Sequence, residues 1–279
     1  METVAFYSYK SGVGRSGILA NAARFLTTIG KGVVALDCDF EAPGLPDKFD
    51  GVRKSAGGAI PYLMAAADGT ASPPALGEHM TSVPIAAESG GWLRLMPAGP
   101  AAHLQGFGGW LRLTDSSGPG FMALRDLPAR IADELRPHYL LIDACAGMSE
   151  LWGLATTVLA DTVACVCTTD QEAVDGTVTA VKALLAAPRP ANRKPIRIVL
   201  VLPLKTLEQT QDPVFAAGLM KLMEIGRSSK GSVSALLALP PGDAMGILET
   251  LAGSDGKSGE MSLLDKAYIE LFHELFPGI

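Results

Sequence analysis

Aromatic and charged residues are both scarce in this chain. Phe, Trp and Tyr make up 6% of its 279 residues, and Asp, Glu, Lys and Arg make up 19%. Hydrophobic residues reach 48%, so a large core can be buried and a disordered chain is excluded. The abundance of small apolar residues suits helices packed closely on a parallel sheet. An excess of positive charge is also missing, because the formal net charge is −6. A global electrostatic drive toward nucleic acid is therefore absent. The densest basic run, Arg189, Arg193, Lys194 and Arg197, reads first as a solvated loop between two elements. Cysteine is rare: Cys38, Cys145, Cys165 and Cys167 form no C-x-x-C pair and have no His cluster beside them. They lie in or at the ends of apolar runs and read as small buried residues. No apolar run approaches the roughly 20 residues of a membrane span. The N-terminus leads directly into a strand-like run, with no signal peptide visible. The expectation is a cytoplasmic protein with reduced thiols and no membrane partner. Internal repeats are missing as well.

What is present alternates between two periods. Thr3–Tyr7 is a short β-rich run. Over Gly17–Ile29 the apolar residues Ile18, Leu19, Ala22, Ala23, Leu26 and Ile29 recur at helical spacing, and Gly30 stops the pattern. Val33–Leu36 is a buried-type strand leading into Asp37-Cys38-Asp39. Strands follow at Trp92–Met96, Tyr139–Ile142, Thr162–Cys167, Ile196–Leu202 and Val233–Leu239. Helices are expected at Leu124–Leu135, Ser149–Leu159, Val174–Leu185, Val214–Ile225 and Met261–Phe276. Strands alternating with helices predict an α/β fold with a doubly wound, mostly parallel sheet. Residues 46–120 are rich in Gly, Pro, Ala and Ser. We expect helices and loops there, with apolar bursts at Ile60–Ala67 and Trp110–Leu113 besides Trp92–Met96. The whole chain, 1–279, reads as one domain carrying an insertion at about 46–120.

The stretch Gly12-Val13-Gly14-Arg15-Ser16-Gly17 satisfies G-x-G-x-x-G, the dinucleotide fingerprint. That fingerprint places its first glycine close to the strand, because the turn is tight. Here Ser8-Tyr9-Lys10-Ser11 intervene. The longer loop suits backbone N–H groups wrapped around a phosphate, with Arg15 as the nearby cation and the Ser16 hydroxyl available to Mg²⁺. Asp37, about 20 residues downstream, could serve a dinucleotide ribose. Asp37 and Asp39 could also be ordinary strand-end carboxylates. A second acidic site closes the buried strand in YLLIDACAG, where Asp143 looks like a Walker B carboxylate; a helix N-cap is the plainer alternative. Gly147, four residues on, could offer a backbone N–H to a γ-phosphate. Lys10, Ser16, Asp39, Asp143 and Gly147 together outline one Mg-nucleotide site.

With those residues in hand, the chain resembles the ParA/MinD-like ATPases with a deviant Walker A loop, K-G-G-x-G-K-[ST]. It looks most like a subgroup with K-G-G-V-G-R-T followed by D-x-D-x-E-A-P-G-L. The matching residues are Lys10-Ser11-Gly12-Val13-Gly14-Arg15-Ser16 and Asp37-Cys38-Asp39-Phe40-Glu41-Ala42-Pro43-Gly44-Leu45. LRLMPAG at 93–99, YLLIDACAGMSE at 139–150 and ADTVACVCTTDQEAVDG at 160–176 extend the likeness.

The resemblance implies ATP and Mg²⁺ as ligands, with slow hydrolysis timing a dimer–monomer switch. Lys10 would cross a nucleotide-sandwich homodimer to the partner's phosphates. Ser11, Gly12, Val13, Gly14, Arg15 and Ser16 would cradle phosphate, Ser16 also meeting Mg²⁺. Gly17 stands where relatives carry a hydroxyl and offers its backbone alone. Asp39 would orient the attacking water, and Asp143 would hold Mg²⁺ through its outer shell. Ser11 and Arg15 depart from the usual loop residues, and Leu202-Pro203-Leu204 stands where relatives often place an adenine-reading Asn. A switch acting on a partner protein is therefore expected. A hydrolysis-poor sensor or scaffold is the alternative, and a DNA-segregation ATPase is weakened by the acidic charge. A dehydrogenase is a remote further reading.

Overall fold

Eight strands form one sheet in a computed structural model of the chain, which describes residues 1–52, 57–68, 74–85, 90–100, 115, 117–189, 193–241 and 262–279. They are β1 (Glu2–Tyr7), β2 (Gly32–Cys38), β3 (Thr81–Val83), β4 (Trp92–Met96), β5 (Tyr139–Ala144), β6 (Thr162–Val166), β7 (Arg197–Pro203) and β8 (Val233–Leu239). The spatial order is β3-β4-β2-β5-β1-β6-β7-β8. Every pairing is parallel except β3 with β4. The seven strands read from the sequence are all present. The eighth, β3, escapes a pattern reading because three residues are too few to show alternation.

The described helices are α1 (Arg15–Thr28), α2 (Ala59–Ala67), α3 (Pro119–Leu135), α4 (Glu150–Gly153, continuing as a π-helical turn over Leu154–Leu159), α5 (Gln171–Ala186), α6 (Pro213–Ser228) and α7 (Leu263–Leu275). Helix α3 starts five residues before the predicted Leu124, because Pro119 suits the first helical turn although it is no part of the apolar stripe. The expected burst at Trp110–Leu113 and residue Met261 lie outside the described residues.

Alternation along the strands sorts the core into two layers. In β1, Val4 and Phe6 point to one face and Ala5 and Tyr7 to the other. The first face packs against Ile18, Leu19, Ala22 and Leu26 of α1 and Phe272 and Leu275 of α7. The opposite face takes α2, α3, the α4 segment, α5 and α6. Helices on both faces bury both sides of the strands, and this is why β2 and β5 are buried along their entire length. No described helix is long and apolar enough to cross a membrane.

The topology fixes where a ligand can sit. The chain leaves β1 toward β2 on one side and later continues from β6 to β8 on the other. The switch point lies at the carboxyl ends of β5, β1 and β6, where open α/β sheets bind ligands. In register, Phe6 lies opposite Asp143, and Asp143 lies opposite Asp37. Three strand ends thus bring the glycine loop, the Asp37–Asp39 pair and Asp143 to one edge.

Candidate functional site

The loop from Ser8 to Gly14 joins β1 to α1. Gly12 and Gly14 have φ of 72° and 91°, in the left-handed region that side chains resist. Ser11 does not share this conformation, so serine in place of the loop's first glycine carries no left-handed strain. Gly14 is the N-cap of α1; it makes no side-chain cap, and no acid occupies the first turn. By contrast, Asp170, Asp212 and Ser262 accept hydrogen bonds from the first-turn N–H groups of α5, α6 and α7. The first turn of α1 keeps its donors and its positive dipole end without a side-chain acceptor, as an anion site requires.

Arg15, the first helical residue, turns inward. It is buried, and its Nε donates to Asp143 Oδ1 at 2.5 Å while Nη2 donates to Asp39 Oδ2 at 2.6 Å. Nη1 lies 3.5 Å from Ser8 Oγ. Burial opposes the charge on Arg15, yet Asp143 and Asp39 hold its pKa above the ordinary value. Asp39 Oδ1 accepts from the Ala42 N–H at 3.2 Å, which fixes the start of the E-A-P-G-L turn. Asp143 is raised by burial despite Arg15 beside it, and the nearby Ser16 hydroxyl acts to lower it. Its second oxygen, Oδ2, is buried and makes no hydrogen bond among the described residues.

Asp37 is fully buried. Its Oδ1 and Oδ2 accept the backbone N–H groups of Asp39 and Leu45 at 3.0 and 3.2 Å. Burial and the Asp143 charge push its carboxyl up to about 7. With both oxygens turned to the backbone of its own loop, Asp37 is a strand-end anchor and is not presented to a ribose. The sequence showed the acid; its anchoring role is visible only in the loop's hydrogen bonds.

Lys10 extends away from this cluster. Its Nζ lies 2.8 Å from Asp170 Oδ1 and 2.8 Å from Glu172 Oε2 at the start of α5, and these hydrogen bonds push it up to about 12. Asp170 is partly buried but is pulled down to about 2 by Lys10, the Thr168 hydroxyl and the Ala173 N–H. The Tyr9 ring lies so close to Gly176 that a Cβ there would overlap it, which accounts for a glycine inside α5. Nothing in the sequence spacing linked Lys10 or Tyr9 to this helix, more than 160 residues away. Gly147, with φ of 75°, donates its N–H to the carbonyls of Tyr9 at 3.0 Å and Ser8 at 3.3 Å.

Val13 is half-buried, while Ser16 and Gly17 lie in the first turn of α1. A cleft of about 410 Å³ runs from Gly14 and Gly17 past Asn21 to Pro203-Leu204 at the end of β7 and Pro240 after β8. Ser149, not Asp143, caps α4. All four cysteines are buried free thiols, and Cys145 contacts Ser149 Oγ at 3.1 Å. The Trp92 ring covers Gly32, and Trp110 lies outside the described residues. The basic run is largely consumed at the opposite end of the sheet. Arg189 donates to the carbonyls of Thr157 and Ala160, Arg193 to Leu159 and Asp161, and Arg197 to Thr162 and the Leu275 carbonyl.

No protein-family model and no curated protein matches the chain. Solved structures do match. A ParA family ATPase from Chlorobium tepidum is 18% identical, with a TM-score of 0.62 over 97% of this chain and 98% of that one. The MinD cell division protein of Aquifex aeolicus is 14% identical, with a TM-score of 0.61 over 99% and 96%. Apo McdA from Cyanthece is 14% identical, with a TM-score of 0.68 over 99% of both chains. The chain therefore has the fold of the MinD, ParA-family and McdA ATPases, a doubly wound P-loop sheet.

Proposed function

We propose that this chain is a Mg-dependent, ATP-binding and hydrolysing ParA/MinD-like switch that forms a homodimer around nucleotide and regulates or positions a partner protein. On this reading residues 1–279 are one P-loop domain with an insertion at about 46–120, working in the cytoplasm. The carrying observation is a helix N-terminus without a side-chain cap, preceded by left-handed Gly12 and Gly14, facing the converged Asp39 and Asp143. Three solved structures of the same fold support the ligands: MinD of Pyrococcus horikoshii complexed with Mg-ADP, McdA of Cyanothece complexed with ATP, and the MinC:MinD complex of Aquifex aeolicus.

The residues present fit Mg²⁺. Asp143 Oδ2 is a buried oxygen without a hydrogen-bond partner, and the Ser16 hydroxyl lies beside the same carboxylate. Mg²⁺ favours one or two hard oxygen ligands of this kind, completed by water and phosphate. Ser16 would ligate the ion directly, with Asp143 and Asp39 behind it. When bound, Mg²⁺ would neutralise charge on the β- and γ-phosphate oxygens.

In this mechanism the chain mostly positions. The N–H groups of Gly12 to Gly17 hold the phosphates at the dipole end of α1. Arg15 supplies a planar cation suited to bidentate phosphate contact. Asp39 orients the attacking water and accepts its proton. Lys10, released from Asp170 and Glu172, reaches the partner's phosphates. Light scattering with and without ATP tests the switch: an ATP-dependent dimer is expected, and a protein that stays monomeric in wild type and in Asp39→Ala refutes it. Phosphate release should be slow and lost in Lys10→Ala.

A second reading is favoured by one contact. Arg15 already engages both Asp39 and Asp143, so a protein that binds nucleotide and barely hydrolyses it fits the same geometry. Steady phosphate release abolished by Asp143→Ala would exclude that reading. DNA segregation has less sequence support, because Arg189, Arg193 and Arg197 of the basic run are bonded to protein groups.

A further inference from the structure

We infer that Arg15 gates metal entry: in the nucleotide-free protein its guanidinium serves as counter-ion to Asp39 and Asp143, and the site accepts a divalent cation only when phosphate draws Arg15 away. This regulation rests on the nucleotide-binding reading above. Three observations carry it. Arg15 spends Nε and Nη2 on the two carboxylates, at 2.5 and 2.6 Å, while Nη1 has only the Ser8 Oγ contact at 3.5 Å, so a phosphate that takes the guanidinium bidentately through its Nε–Nη2 edge competes with both acids. Both carboxylates and the guanidinium are buried, so water cannot screen the pair and a divalent cation beside Arg15 would be repelled. Asp143 Oδ2 remains without a hydrogen bond, so one buried oxygen is still available to a hard cation once the guanidinium is gone.

Arg15 also stands at the first position of α1, directly after the loop whose N–H groups would receive the phosphates. A phosphate there offers the guanidinium a bidentate partner one step from its present one. Phosphate binding and release of the carboxylates then become one event. Metal without nucleotide, or a site charged but empty of phosphate, is thereby disfavoured. The contact would act as an interlock that assembles the hydrolytic site only around its substrate.

Metal alone tests the interlock. Mn²⁺ is titrated into the nucleotide-free full chain, and free Mn²⁺ is read by electron paramagnetic resonance. If the Arg15-withdrawn state is a minor one, populated at roughly 0.1–10%, its removal as a requirement raises apparent affinity by the inverse of that fraction, roughly 10- to 1,000-fold. Arg15→Met should therefore bind Mn²⁺ at least roughly tenfold more tightly than wild type. Arg15→Lys, which keeps the charge but cannot bridge both acids with a planar fork, should fall between them. Equal Mn²⁺ affinity in wild type and both variants overturns the gate. If Arg15→Met does not fold, Arg15→Lys decides alone, and wild-type affinity in it overturns the gate. Calorimetry of wild type with ATP is run alongside: absent ATP binding refutes the nucleotide reading, while the Mn²⁺ comparison still decides whether Arg15 excludes metal.

Discussion

Replacing Arg15 by Met should destabilise the nucleotide-free protein far more than replacing Asp143 by Asn, although the two side chains form one ion pair. The asymmetry follows from counting charges. Asp37, Asp39 and Asp143 are buried at one sheet edge, and Arg15 is the buried cation paired with Asp39 and Asp143 among the described residues. Removing Arg15 leaves carboxylates buried without their counter-ion, a loss of about 3–5 kcal/mol. In a chain of this size that lowers the melting temperature by roughly 6–20 °C. Removing the Asp143 charge leaves Arg15 paired with Asp39 and relieves the repulsion that helps raise Asp37. The new amide nitrogen, placed where Oδ2 has no partner, costs about 1 kcal/mol, and the relief offsets it. Asp143→Asn should stay within about 1 kcal/mol of wild type.

Urea unfolding in nucleotide-free buffer, with unchanged slope, measures both. The pH dependence has a definite sign. Asp37 is raised to about 7 and Asp143 is raised as well, so folding opposes their ionisation. The resulting penalty is absent below about pH 4 and grows as pH rises through 7. Arg15 counters the Asp143 part of this penalty, so the gap between wild type and Arg15→Met should widen from pH 5 to pH 8. An Asp143→Asn variant as unstable as Arg15→Met, or a gap that narrows with rising pH, would refute the charge count.

Gly17→Ser should raise stability by about 0.5 kcal/mol through helix propensity, since no atom lies within 4 Å of the added Cβ. It should also tighten ATP binding in calorimetry by adding the hydroxyl that the resemblance expects; weaker binding counts against a phosphate beside α1. Asp170→Ala should cost about 1 kcal/mol through the lost cap of α5, seen by thermal melting. The same change frees Lys10 from one of its two acids, and ATP-dependent dimerisation should then appear at lower protein concentration. Asp37→Asn should cost about 1–3 kcal/mol, because an amide donor must face the N–H of Asp39 or Leu45. Amide exchange in residues 39–45 should speed up; unchanged exchange would contradict the anchoring role.

Most of the architecture was legible because strand burial and helical stripes repeat over long runs. Gly17–Ile29 announced α1, and the DxD and YLLID runs announced β2 and β5 with their acids. The middle segment was harder. Its composition hid β3, whose three residues give no period, and masked the Pro119 start of α3 behind a later apolar stripe. At the site, residue types were readable and directions were not. A cation after the glycine loop predicts phosphate contact, but only packing shows Arg15 turned toward Asp39 and Asp143. Likewise Lys10 stands out in the sequence as a cation at the start of the glycine loop, while its acids at 170 and 172 are distant in sequence and meet it only through the fold.

Gly147 has one amide proton and shares it between two carbonyls of the loop joining β1 to α1, those of Ser8 and Tyr9. That proton is a seam joining the end of β5 to the end of β1. A terminal phosphate that captured it would leave both carbonyls to find other donors, since buried backbone groups do not stay unpaired at low cost. The neighbours of the seam are Met148, exposed at the surface, and Lys10 beside Tyr9. Whether two or three phosphates are present would then be written directly into the outline of the protein's face, with a single hydrogen atom as the stitch that is kept or cut.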